Sequence, residues 1–139
     1  MPELVAVMVI MGVMAAIALP KFSASAYGED EIRLYDQTFA ALRYAQRAAT
    51  TMQRNVCATF TSTQLTLTYG ATYGAACGPG LVGPGGEAAP YKVTAQGSTS
   101  YTAATTFSFD RVGRPSAGQT ISISGGKQMV VESETGYVH

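Results

Sequence analysis

Hydrophobic positions follow three different spacings along the chain. Residues 4–19 carry no charge and are apolar almost throughout, from Leu4 and Val5 to Ile17 and Leu19. Glu3 stands just before this run, and Pro20 and Lys21 close it. Such a stretch needs lipid or partner helices. As a helix it is about 24 Å long, a little short of the roughly 30 Å hydrocarbon core of a bilayer. It therefore predicts a membrane-anchoring helix, or one that moves between lipid and a protein bundle. Pro20 removes a backbone donor and crowds the preceding turn, which predicts a kink there.

Over residues 29–55 the spacing becomes three and four. Ile32, Tyr35, Phe39, Leu42, Ala45, Ala49, Met52 and Val56 form one apolar stripe. Glu29, Asp30 and Glu31 suit the start of a second helix, where negative charge meets the positive end of the dipole. Arg43, Arg47 and Arg54 lie off the stripe toward the other end.

From Val56 the period is two. Residues 56–60 and 64–69 read as strands around a short Thr-Ser turn. Residues 70–90 are crowded with Gly and Pro and read as a loop. Residues 91–94, 106–110, 120–124 and 128–132 read as further strands, and Gly125-Gly126 marks a hairpin between the last two. The expected fold is α+β: a long N-terminal α-helix, kinked near Pro20, packed on an antiparallel β-sheet. Three segments follow: 1–22, a transmembrane or core helix; 23–55, its amphipathic second half; 56–139, the β-sheet domain.

Composition narrows the functional classes. A chain of 139 residues fits one domain, and nine basic residues balance nine acidic ones. Zero net charge argues against a general nucleic-acid binder. After residue 22 the chain turns to Thr, Ser, Gly, Ala and Tyr, in the manner of an exported β-rich domain. The N-terminal run lacks the basic start and small-residue cleavage site of a secretory signal peptide.

Cys57 and Cys77 form an even pair in a chain with a membrane segment, and a disulfide is the natural reading. Redox activity and metal binding are the alternatives, with two free thiols behind them. There is no CxxC, and the one histidine, His139, is the last residue, so no metal site assembles from this inventory. The glycine-rich residues 78–86 lack GK[ST] and lead into no helix, which excludes a phosphate loop. Arg111 and Arg114 make the one basic spot in the β-segment, where phosphate contact is conceivable. Asp110 beside them and the zero net charge favour a solvated turn. No nucleophile elbow or paired carboxylates appear, so neither an enzyme nor a cofactor is expected.

The stretch PELVAVMVIMGVMAAIALPKF, residues 2–22, resembles the N-terminal segment of type IV pilins and of the pseudopilins of type II secretion. In that family a glutamate opens a long apolar helix and a proline kinks it. The helix then runs into a periplasmic β-sheet domain, the pilin fold. Glu3 matches the glutamate and Pro20 the proline. Residues 33–37 and 42–49 are similar to the second helix half of H-type minor pseudopilins. FSFDRVGRP and the closing ETGYVH are similar to the C-terminal strands of those proteins and of minor pilins of mannose-sensitive haemagglutinin-type pili.

The resemblance implies a structural subunit, a minor one, made in the inner membrane with a periplasmic domain and polymerised into a pilus or pseudopilus. Its implied partners are other pilin or pseudopilin subunits in a homo- or hetero-filament, inner-membrane lipid, the prepilin peptidase and the assembly platform. A carboxylate at the edge of an apolar segment is costly unless paired. By resemblance, Glu3 pairs with the N-terminal amine of a neighbouring subunit and sets axial register; the plainer alternative is a glutamate facing lipid headgroups. The family's leader ends in glycine, and its first mature residue is an N-methylated Phe. By alignment Met1 is the family's third mature residue, so the expectation is a chain trimmed, or set to start, downstream of that leader. The alternative reading is a tip pilin that binds DNA or a surface ligand through Arg111 and Arg114.

Overall fold

The fold was obtained as a computed structural model of residues 1–139, in which side chains are described for residues 1–16 and 28–139. One helix, α1 (Pro2–Met52), takes up the first third of the chain. Pro2 suits its first turn, because the missing N–H would have no helical partner there. Frequent alanines and long unbranched side chains favour the helix through residues 40–52. It stops at Gln53, which turns left-handed (φ 54°) and donates its N–H to the Ala49 carbonyl. A left-handed cap satisfies carbonyls that the ending helix leaves free. The kink expected at Pro20 lies outside the described residues. The acidic residues Glu29, Asp30 and Glu31 fall within α1, not at the start of a second helix.

The buried face of α1 is Leu34, Thr38, Ala41, Leu42, Ala45, Ala48 and Ala49. This corrects the expected stripe at its N-terminal end. Ile32 is exposed, and Tyr35 and Phe39 are half-buried at the margin. Spacing alone ranks large apolar residues first. The sheet instead approaches a face of four alanines, one threonine and the two leucines Leu34 and Leu42. Thr38 can be buried because its Oγ1 shares a 2.7 Å hydrogen bond with the Tyr101 hydroxyl.

Eight strands follow: β1 (Val56–Phe60), β2 (Gln64–Gly70), β3 (Cys77–Gly80), β4 (Lys92–Thr94), β5 (Tyr101–Ala103), β6 (Phe107–Phe109), β7 (Gln119–Ile123) and β8 (Gln128–Val131). β3 falls inside the stretch expected to be loop, and β5 falls where no strand was expected. All pairings are antiparallel. One sheet runs β3-β2-β1-β6, with β4 also pairing β2; the other runs β5-β7-β8. β3 and β4 share one edge of β2, at Thr68–Gly70 and Gln64–Thr66 respectively. Between them, Leu67 accepts from the Leu81 N–H (3.1 Å) and donates to the Tyr91 carbonyl (3.0 Å), so residues 82–90 loop out from a closed neck.

Alternation along the strands fills the core. Val56 and Ala58, Leu65 and Leu67, Phe107 and Phe109, Ile121 and Ile123, and Met129 and Val131 all point inward and are buried. At the predicted hairpin, Gly125 and Gly126 both have positive φ (86° and 84°), as the tightest turns of this kind require. The α+β architecture expected from the period change is thus present: α1 lies against the sheet through β1, β2, β4, β6 and β7.

Candidate assembly surfaces

Apolar side chains around the whole circumference of α1 are open to solvent at its N-terminal end. Leu4, Val5, Val7, Met8, Val9, Ile10, Met11, Val13 and Met14 are each 52–69% exposed. A helix apolar on every side is stable only when something surrounds it. Glu3 is exposed on the first turn, at the end of this cylinder. Among the described residues no helix is long and apolar enough to cross a membrane. The last residues of the apolar run, 17–19, lie outside those described.

The sequence-predicted cysteines are joined: Cys57 and Cys77 form a disulfide, with Cα atoms 6.1 Å apart. Cys57 lies on β1 and Cys77 on β3, strands that flank β2 on opposite edges. The bridge ties the loop of residues 71–76 to the strand that follows α1. No free cysteine is present, and among the described residues no group of His, Cys, Asp and Glu could hold a metal ion.

Arg111 and Arg114 lie exposed in the turn after β6. The Asp110 carboxylate organises that turn: its Oδ1 accepts the N–H groups of Val112 and Arg114, each at 2.9 Å. Gly113 (φ 83°) completes it, and its N–H donates to the Asp110 carbonyl at 2.9 Å. Arg111 is not free. Its guanidinium sits 4.8 Å from the centroid of the Tyr73 ring, a side chain from the disulfide-tied loop that is 66% exposed. Arg111 thus meets the disulfide-tied loop at one end of the domain.

The helix holds this turn in place. Gln46 Nε2 donates to the carbonyls of Gly113 (3.0 Å) and Thr135 (2.9 Å). Gly136 sits so close that a side chain there would collide with the Gly113 carbonyl. Gln46 is a functional-looking residue that sequence reading missed. Its signal was one amide among the polar positions of the helix, which carries no periodicity.

An aromatic seam continues along the same margin of α1, where Arg43 and Gln46 both meet the C-terminal residues. Tyr35 and Phe39 stack (6.1 Å), Arg43 lies 4.3 Å from the Phe39 ring centroid and 5.6 Å from that of Tyr137, and Tyr137 stacks on His139 (5.6 Å). His139 Nε2 is 2.9 Å from Glu132 Oε1. Burial raises two tyrosine hydroxyls above their ordinary range. Tyr101 is pushed up to about 12 by burial, partly offset by the Thr38 hydrogen bond. Tyr91 is raised by burial first, then by Glu87 and Tyr44.

No protein-family model matches the chain, and no curated protein matches it by sequence. Among solved structures it is similar to a type IV minor pilin, FimU, of Pseudomonas aeruginosa strain PAO1. The TM-score is 0.57 at 17% sequence identity, over 81% of this chain and 89% of that one. This likeness shows the fold: a long helix on antiparallel strands, the pilin fold.

Proposed function

We propose that the chain is a filament subunit, a minor one, of a type IV pilus or a type II secretion pseudopilus. The observation that carries this reading is the N-terminal half of α1, apolar on all sides and bare, continuous with a half that is clamped to a sheet. A cylinder of that kind has two environments that stabilise it, lipid and a bundle of its own kind. In this reading the inner membrane holds the subunit first, and the filament core holds it after assembly. The prepilin peptidase and the assembly platform are the partners that would process and extract it. The likeness to a minor pilin supports the same reading through its fold.

Glu3 is the register residue in this account. Unpaired in lipid it is costly, and a cation from a neighbouring subunit at the same depth removes that cost. Glu3→Ala is expected to leave the disulfide-bonded domain folded and to lower the amount of subunit in sheared filaments at least tenfold, as about 1.4 kcal/mol of lost pairing would. Wild-type incorporation of the variant would remove the register role. Absence of the wild-type chain from any filament fraction would overturn the reading as a whole.

A further inference from the structure

Among the described residues no lysine or arginine lies within ion-pair distance of a carboxylate; the single close pair is His139 with Glu132. The charges are nonetheless sorted along α1. At one end of the globular part stand Glu29, Asp30, Glu31 and Asp36, with Gly97 against the Asp30 carboxylate and the Gly125 turn against Glu31. Among the described residues the cations on that side are Arg33, Lys127 and Lys92, the last sharing a cleft with Glu87, Gln37 and Gln96, and Lys127 lies 5.6 Å from the Tyr35 ring centroid. At the other end, beside Gln46 and Thr50, stand Arg47, Arg54, Arg111 and Arg114, with Arg43 just below. Asp110, Glu132 and Glu134 are the carboxylates there; Asp110 is turned into its own backbone and Glu132 toward His139. The two ends are separated by about 30 Å along the helix.

The basic end also has the makings of a contact. Asp110 and Gln46 fix the turn from both sides, so little order is left to gain on docking. It presents Val112, 65% exposed, between Arg111 and Arg114, with Tyr73 stacked on Arg111. Arginine and tyrosine around an apolar centre are the side chains that dominate protein interfaces.

We propose that this knob docks on the acidic end of a second copy of the chain, head to tail along the α1 direction. The occupant follows from charge: the complement of the basic end is carried by the same molecule at its opposite end. A contact between two different patches repeats without closing, which gives a helical filament and not a two-fold dimer. The inference rests on the filament-subunit reading and specifies a contact of that filament outside the apolar core.

The test uses the full disulfide-bonded chain in detergent micelles, which cover the apolar half-helix. Sedimentation velocity is run on wild type, on Arg111→Glu/Arg114→Glu, and on Glu29→Arg/Asp36→Arg. Wild type is expected to associate at about 0.02 M salt and to dissociate at about 0.5 M, where screening is strong. Each variant alone should associate at least about tenfold more weakly. An equimolar mixture of the two should recover association, because each end then meets its opposite. Circular dichroism identical to wild type excludes misfolding. Wild type that stays monomeric at low salt, association indifferent to salt, or a mixture no better than its components would each overturn the proposal. Filament incorporation that depends on Glu3 would stand whatever this result, so the two readings fail separately.

Discussion

Tyr101 is the residue whose chemistry is most confined by the fold. Its hydroxyl and that of Thr38 satisfy each other inside the core, 2.7 Å apart. Tyr101→Phe leaves Thr38 without that partner and should cost about 1–3 kcal/mol in denaturant unfolding. Thr38→Val added to it should recover part of the loss, since two apolar groups of similar shape need no partner. The pH dependence has a definite sign. The folded state holds the Tyr101 hydroxyl protonated up to about 12, whereas in the unfolded chain it ionises near 10. Stability from this group is therefore complete below pH 10 and falls as pH rises through 12. Tyr101→Phe should flatten that alkaline limb. A limb unchanged in the variant would assign it to other tyrosines. At the same scale, the sequence identified Cys57 and Cys77 correctly as a bonded pair, because pairing needed only their number and the character of the chain. Their joint replacement by serine should lower stability by about 3 kcal/mol on the loop-entropy account, read from the shift in urea midpoint. Arg111 was legible as an exposed cation, but not its stacking on Tyr73, because that contact joins loops far apart in sequence.

Among the elements, periodicity carried most of the fold and failed for identifiable reasons. β1, β2, β6, β7 and β8 were read from alternation because inward apolar residues recur two apart along each, and β4 was read from Tyr91 and Val93, two apart across its start. β3 was missed: CGPG has no alternation and becomes a strand only by pairing with the edge of β2. β5 was missed because three residues with one buried ring show no period. The helix face was shifted because Leu34, Thr38 and four alanines sit with Leu42 in the buried face, while Ile32 is left exposed. Gln46 joins these elements, since one amide holds the turn after β6 and the turn before the chain end. Gln46→Ala removes both bonds and should cost about 1–3 kcal/mol. Amide hydrogen exchange should then quicken at Gly113 and Gly136 while the β1–β2 amides stay protected. Uniform quickening across the domain would mean that Gln46 acts on the whole core and not on these turns.

The whole molecule is a globular part on a helix whose free half no surface of the described domain covers. That half was the most legible feature of the sequence, because an uncharged run of this length has few physical solutions. What it packs against was not legible, since a bundle partner and a lipid tail ask for the same side chains. The most direct test places a photo-activated cross-linking residue at Ile10, in the middle of the bare cylinder, in the full chain expressed with its native assembly machinery. Subunit-to-subunit adducts are expected in sheared filaments, at the mass of this chain joined to another pilin-like chain. Adducts to lipid alone, with none to protein in any fraction, would contradict the filament-subunit reading.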